Sequence, residues 1–203
     1  MLESNFGADL NKEKQLAILL DAYYQKHLKQ YSFERVHDMK CQIQGIDIVL
    51  TRKTDDTVFF VDEKAQLDYI NEALPTFAFE LSYEKKGVLK EGWLYDTRKK
   101  TQFYALVTSI YSDAPNLFTS CKITLVNREK LLAFLATKNI HCNALKTTIA
   151  EADVEHGKIK LAGLNDKTEG YLFQSRKNKA EKPVNLILRL DFLIQHKIAK
   201  RLV

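Results

Sequence analysis

The sequence predicts an α/β fold: a mixed central sheet flanked by helices, with extra C-terminal strands and a closing helix. Two observations carry this expectation. Apolar, β-branched segments of strand length recur between amphipathic stretches, and the strand CKITLV runs directly into a helical stretch opened by Asn127. A strand, a cap and a helix in succession are typical of α/β organisation. The 203 residues fit a single domain, with about 1–140 as its core and about 141–203 as an elaboration that completes or flanks the sheet.

Asn11 is placed to cap a first helix running to about Leu28, because Leu16, Leu19, Leu20, Tyr23, Tyr24 and Leu28 recur at helical spacing. A short strand is expected from Phe33 to Met39. Two further strands follow, QGIDIVL and VFFVDEKAQ, joined by the polar link TRKTDDT. LDYINEALP reads as a helical turn or loop ended by Pro75. In TFAFELSYE, Phe77, Phe79, Leu81 and Tyr83 alternate with Thr76, Ala78, Glu80 and Ser82, the period of a strand. The turn-rich EKKGVLKEG leads to Trp93–Tyr95, the basic turn DTRKKT and the apolar strand QFYALVTSIY. After CKITLV, the helix beyond Asn127 is expected to bury Leu131, Leu132, Phe134 and Leu135. KIKLAGL and GYLFQSR suggest a hairpin around NDKTEG. NLILRL reads as a strand, and DFLIQHKIAKRLV as the closing helix with Asp191 as its cap.

Composition narrows the function. Hydrophobic residues at 45% and charged residues at 28% describe an ordinary globular chain rather than a disordered one. No apolar run approaches the roughly 20 residues of a membrane span, and MLESNFGADLNKEK lacks an apolar signal core. A soluble, cytoplasmic protein without a membrane partner is expected. Cys41, Cys121 and Cys142 are odd in number and form no CxxC pair, which speaks against structural disulfides. The adjacent His141 and Cys142 have no second ligand pair, so zinc has little support. P-loop, GxGxxG, GxSxG and HExxH motifs are missing, which removes positive support for ATP-driven, dinucleotide and serine-hydrolase chemistry. The formal net charge of +5 is compatible with a polyanionic partner. Among the basic clusters, Lys85, Lys86, Arg98, Lys99, Lys100, Arg176 and Lys177 are the candidate nucleic-acid contacts. Each cluster also reads as a solvated turn.

The chemistry is concentrated in the two central strands. Asp47 stands alone in the apolar run QGIDIVL, and Asp62, Glu63 and Lys64 follow Val58–Val61 directly. Carboxylates are rarely buried without a partner or a metal. Alternation puts Asp62 and Lys64 on one face of their strand and Glu63 on the other. If the strands pair as an antiparallel hairpin, Asp47 and Asp62 become neighbours. Magnesium is often held by one or two carboxylates plus substrate phosphate. Asp47, Asp62 and the backbone carbonyl of Glu63 are the candidate metal ligands, with magnesium the expected ion and manganese able to replace it. Lys64 is placed to position or deprotonate the attacking water, or to stabilise the charged phosphate.

GID, a hairpin and then VDEK is similar to the active-site signature of the PD-(D/E)XK nucleases, the restriction-endonuclease-like fold. Asp47 matches the first acid, Asp62 the second and Lys64 the lysine. Glu63 holds the variable position, and a shifted register would make its carboxylate the ligand. The resemblance covers roughly the first half of the chain. It implies an additional acid on a preceding helix, for which Glu13 is the candidate with Asp21 behind it, and a polar group further along the strand, Gln66. It implies a metal-dependent endonuclease hydrolysing phosphodiesters, with nucleic acid, DNA first, as the partner; a homodimer is compatible with that reading. The alternative is a non-catalytic nucleic-acid-binding or assembly protein that retains such a fold.

Overall fold

The computed structural model describes residues 6–115, 117–152, 154, 156–175 and 181–203. The first elements are α1 (Phe6–His27), β1 (Tyr31–Arg35), α2 (Met39–Ile43), β2 (Ile48–Arg52) and β3 (Val58–Ala65). A 3-10 turn (Leu67–Tyr69), β4 (Thr76–Lys85), β5 (Val88–Glu91), β6 (Phe103–Ala114), β7 (Leu117–Asn127) and α3 (Arg128–Thr137) follow. The remainder forms α4 (Cys142–Glu151), β8 (Gly157–Ile159), β9 (Gly170–Gln174), β10 (Val184–Arg189), α5 (Leu190–Gln195) and β11 (Ala199–Arg201). The fold is mixed α/β with two sheets, one mixed and one antiparallel. Two compact units carry them: Met1–Leu74 with Lys100–Arg128 and Ala199–Val203, and Pro75–Lys99 with Glu129–Ile198.

The first unit holds the six-stranded sheet, in the order β1-β2-β3-β6-β7-β11. Only β3 and β6 run parallel; every other neighbouring pair is antiparallel. One face of the sheet is covered by α1, whose Leu16, Leu20, Tyr24 and Leu28 pack against Ile48, Leu50, Val61, Val107 and Ile123. That helical stripe is the one predicted from spacing. The helix starts at Phe6, so Asn11 lies inside it rather than at its cap. The strand expected to reach Met39 stops at Arg35, because Asp38 accepts a hydrogen bond from the Lys40 amide at 3.0 Å and caps the short α2. Cys41 and the buried Cys121 are free thiols.

The second unit holds the antiparallel sheet, in the order β5-β4-β10-β9-β8. Phe77, Phe79 and Leu81 of β4 are buried as their alternation requires. The expected hairpin of β8 and β9 is present, with Ile159 opposite Leu172. The C-terminal strands β8, β9 and β10 lie in this second sheet, where β10 pairs with β4, a contact between distant segments that local alternation cannot specify. One expectation fails here. The closing helix ends at Gln195, and Asp191 sits in its first turn while Arg189 occupies the cap position. Lys197 (φ 56°) turns the chain out of the helix, and the Ile198 amide bonds back to the Leu193 carbonyl at 3.0 Å. The residues that follow form β11 against β7. Among the described residues, no helix is long and apolar enough to cross a membrane.

Candidate active site

The β2–β3 ladder pairs Ile48 with Val61 and Leu50 with Phe59, so one further step sets Asp47 opposite Asp62. Backbone bonding continues that far: the Asp47 amide donates to the Val61 carbonyl at 2.9 Å. The Glu63 amide in turn donates to Asp47 Oδ2 at 2.8 Å, which fixes the orientation of that carboxylate. Asp62 is 1% exposed. Lys64, two residues along the same strand face, donates to Asp62 Oδ1. Asp62 Oδ2 is buried and receives no N–H or hydroxyl donor, and the Asp47 carboxyl, when protonated, hydrogen-bonds to Asp62. Asp47 and Asp62 are close enough that the Asp47 carboxyl is pushed up to about 7, first by burial and then by the charge of Asp62, against the opposing pull of Lys64. The two acids and the lysine predicted from strand parity therefore come together.

Glu63 serves the other face. It accepts from the Tyr24 hydroxyl at 2.7 Å and from Arg35, whose guanidinium also binds Asp21 Oδ1 through Nη2 (2.5 Å) and Nε (3.2 Å). Burial and the adjacent Glu63 charge raise the Tyr24 pKa well above its ordinary value, so the phenol stays protonated and donates. The Glu63 carboxylate is thus engaged away from the acid pair. Arg35, 19% exposed at its side chain, ties β1, β3 and α1 together. Arg35→Met should leave two carboxylates facing each other without their cation and lower stability by about 3 kcal/mol or more. Equilibrium urea unfolding of the variant checks this, and an unchanged midpoint would show that the cluster is fully solvated.

A cavity of about 430 Å³ opens beside the acid pair. Glu13, Lys14, Leu16 and Leu20 of α1 form one wall, and Arg35, His37, Gln42, Asp47, Glu63 and Lys64 form the others. Glu13, the candidate helix acid, thus shares this cavity with Asp47 and Lys64, whereas Asp21 is engaged by Arg35. Gln66 follows β3 directly and anchors its amide on the Val107 carbonyl at 3.0 Å. Among the described residues, no three His, Cys, Asp or Glu side chains group as metal ligands. The centre is a two-acid site with one lysine.

Among the described residues, the candidate nucleic-acid contacts Lys85, Lys86, Arg98, Lys99 and Lys100 are not part of the cavity wall. Lys85 and Lys86 are exposed at the β4–β5 turn, where Lys86 (φ 52°) and Gly87 (φ 74°) give a tight two-residue connection. Arg98 folds back on Asp96 with bonds of 2.9 and 3.0 Å. The Lys99 amide bonds to the Asp96 carbonyl, and the exposed Lys100 anchors its amide on the Gln44 carbonyl at 2.8 Å. Arg176 and Lys177 lie outside the described residues. Sequence reasoning missed Arg35, His37 and Gln42. For Arg35 a signal existed: it shares strand parity with Tyr31 and Phe33, and so faces the helix rather than solvent.

The arrangement defines a class of site: a cross-strand carboxylate pair, partly neutralised by a lysine, at the edge of a polar cavity on a mixed sheet. No protein-family model matches the chain, and neither a curated protein nor a solved structure matches it.

Proposed function

We propose that the protein is a metal-dependent nuclease of the PD-(D/E)XK type, an endonuclease hydrolysing DNA phosphodiester bonds. The observation that carries this reading is the convergence of Asp47, Asp62 and Lys64, with one buried Asp62 oxygen that no N–H or hydroxyl donor reaches. That oxygen and the oriented Asp47 carboxylate suit a hard, oxygen-seeking cation such as magnesium or manganese, with Asp47 and Asp62 as its protein ligands. When bound, such an ion would supply an acidified water and offset phosphate charge. Lys64 contributes a positive charge and hydrogen-bond donors beside the phosphate under attack. Glu13, on the opposite wall of the cavity, adds an acceptor for a water molecule.

The test is cleavage of linear, nicked, branched and single-stranded DNA, and of RNA, in magnesium or manganese with an EDTA control. Metal-dependent cutting that disappears in Asp62→Asn is the expected result. Salt-sensitive binding without cutting of any substrate would replace the reading with that of a non-catalytic nucleic-acid-binding protein.

A further inference from the structure

Helix α2 is short and buries none of its five residues. Met39 and Ile43, one turn apart, lie on the same face of that helix and are 68% and 67% exposed. The segment that carries them is nevertheless firmly braced. Asp38 caps it, Gln42 Nε2 donates to the Val36 carbonyl at 3.0 Å, and the Ile46 amide donates to the Cys41 carbonyl at 3.1 Å. The Lys100 amide holds the Gln44 carbonyl at 2.8 Å, and the hydroxyl of the buried Thr101 holds that of Gly45 at 2.9 Å. A braced element with an exposed apolar face needs little ordering when a partner covers it. Its position suggests the partner. Val36, His37 and Gln42 line the cavity that also holds Asp47 and Lys64. Met39 and Gln42 are three residues apart on α2 and so are neighbours on its surface. The apolar face therefore stands beside the wall of the candidate site. Lys40 on α2 and Lys100 at its end are both exposed, and Lys14 and Lys64 line the adjoining cavity.

We infer that α2 is a wedge that holds an unstacked base beside the phosphate in the cavity, and that the substrate is DNA with a loosened step (a branch, flap or mismatch) rather than intact duplex. DNA fits both halves of the surface: its phosphates complement the lysines, and its bases offer flat faces to the apolar pair. Methionine and isoleucine are among the side chains that enter base steps and unstack them. Unstacking is costly in an intact duplex and least costly where a base is already mismatched or unpaired, which makes a wedge selective. A second copy of the chain is the poorer occupant. Two side chains offer far less than the roughly 800 Å² per partner of a stable protein interface, and a two-fold axis through this face would set lysines against lysines. The assignment of substrate rests on the nuclease reading; the wedge itself needs only nucleic acid.

The experiment uses a branched DNA and the intact duplex of the same sequence, each carrying the fluorescent base aminopurine at the same step, whose emission rises when it unstacks. Both are titrated in EDTA with wild type, with the double variant Met39→Ala/Ile43→Ala and with Leu117→Ala. Leu117, 58% exposed on β7, lies outside the cavity wall and serves as the control. All three substitutions trim exposed side chains and should leave folding intact. Emission at the branch should rise with wild type and Leu117→Ala and stay low with the double variant. The double variant should lose roughly tenfold in affinity for the branched DNA, the scale of burying an apolar side chain, and less than about twofold for the intact duplex. Equal affinity of wild type and the double variant for the branched DNA, or equal losses on both DNAs, would overturn the inference. So would a dimeric wild type that the double variant turns monomeric in sedimentation, since a second copy would then occupy α2. Cleavage of the same DNAs in manganese separates the two readings. If wild type unstacks the base through α2 yet cuts nothing, the nuclease reading fails and the wedge stands. If wild type cuts and the double variant cuts both DNAs in the wild-type ratio, the wedge fails and the nuclease reading stands.

Discussion

On the nuclease reading proposed above, Lys64→Ala is expected to bind nucleic acid and fail to cut it, with cleavage lowered about a hundredfold or more, the usual loss when a preorganised electrostatic contact is removed. The structure adds a second consequence. Lys64 is the cation that Asp62 holds, and Asp62 is 1% exposed beside the Asp47 carboxyl. Without the lysine, a buried acid loses its counter-charge, which costs about 3–5 kcal/mol for a pair broken at one partner. The variant should therefore melt early in EDTA and recover much of the loss in magnesium or manganese, because a divalent cation between the acids takes over the role of the ammonium group. Single-turnover cleavage and thermal melts with and without metal measure both effects. Cleavage at the wild-type rate would place the chemistry elsewhere on the protein.

Asp47→Asn should make the metal-free protein more stable at pH 8. In the folded chain the Asp47 carboxyl is pushed up to about 7, against an unfolded value of about 3.9. The folded state therefore holds the proton more tightly. The resulting stabilisation is fully present below about pH 4 and is lost as pH rises through about 7. Above that, an ionised Asp47 faces Asp62 and penalises the fold. Asparagine removes the penalty and keeps an acceptor for the Glu63 amide. A gain on the order of 1–3 kcal/mol is expected at pH 8 in EDTA, narrowing toward pH 4. On the proposed metal site, magnesium should stabilise wild type, and the same variant should lose that gain. Denaturant titrations at pH 4, 6 and 8 would reveal the pattern, and a wild-type curve parallel to that of Asp47→Asn at every pH would contradict it.

The acid pair was legible because strand parity is strict: once QGIDIVL and VFFVDEKAQ pair as a hairpin, Asp47 can meet Asp62 and Lys64 must share its face. Arg35 was harder to see, since its meaning depends on Glu63 and Asp21, one on another strand and one on a helix. The second sheet was illegible for a related reason. Its central pairing joins 76–85 to 184–189, and nothing in either segment names the other. Helix α4 escaped because His141 caps it, accepting from the Ala144 amide through Nδ1, where a hydroxyl or carboxylate would have announced the start. The early end of α5 escaped because Lys197, rather than glycine, adopts the left-handed turn.

The chain passes from one unit to the other four times, after Leu74, Lys99, Arg128 and Ile198. Neither unit is one uninterrupted stretch of sequence, so neither can be shuffled into another gene as a single exon-like piece or released by a single proteolytic cut. The ribosome makes the hairpin with Asp47 and Asp62 early, yet β11, the last strand of the same sheet, exists only once residue 201 has been added. Until then a nascent chain carries Asp47 and Asp62 on a sheet that still lacks its edge strand beside β7.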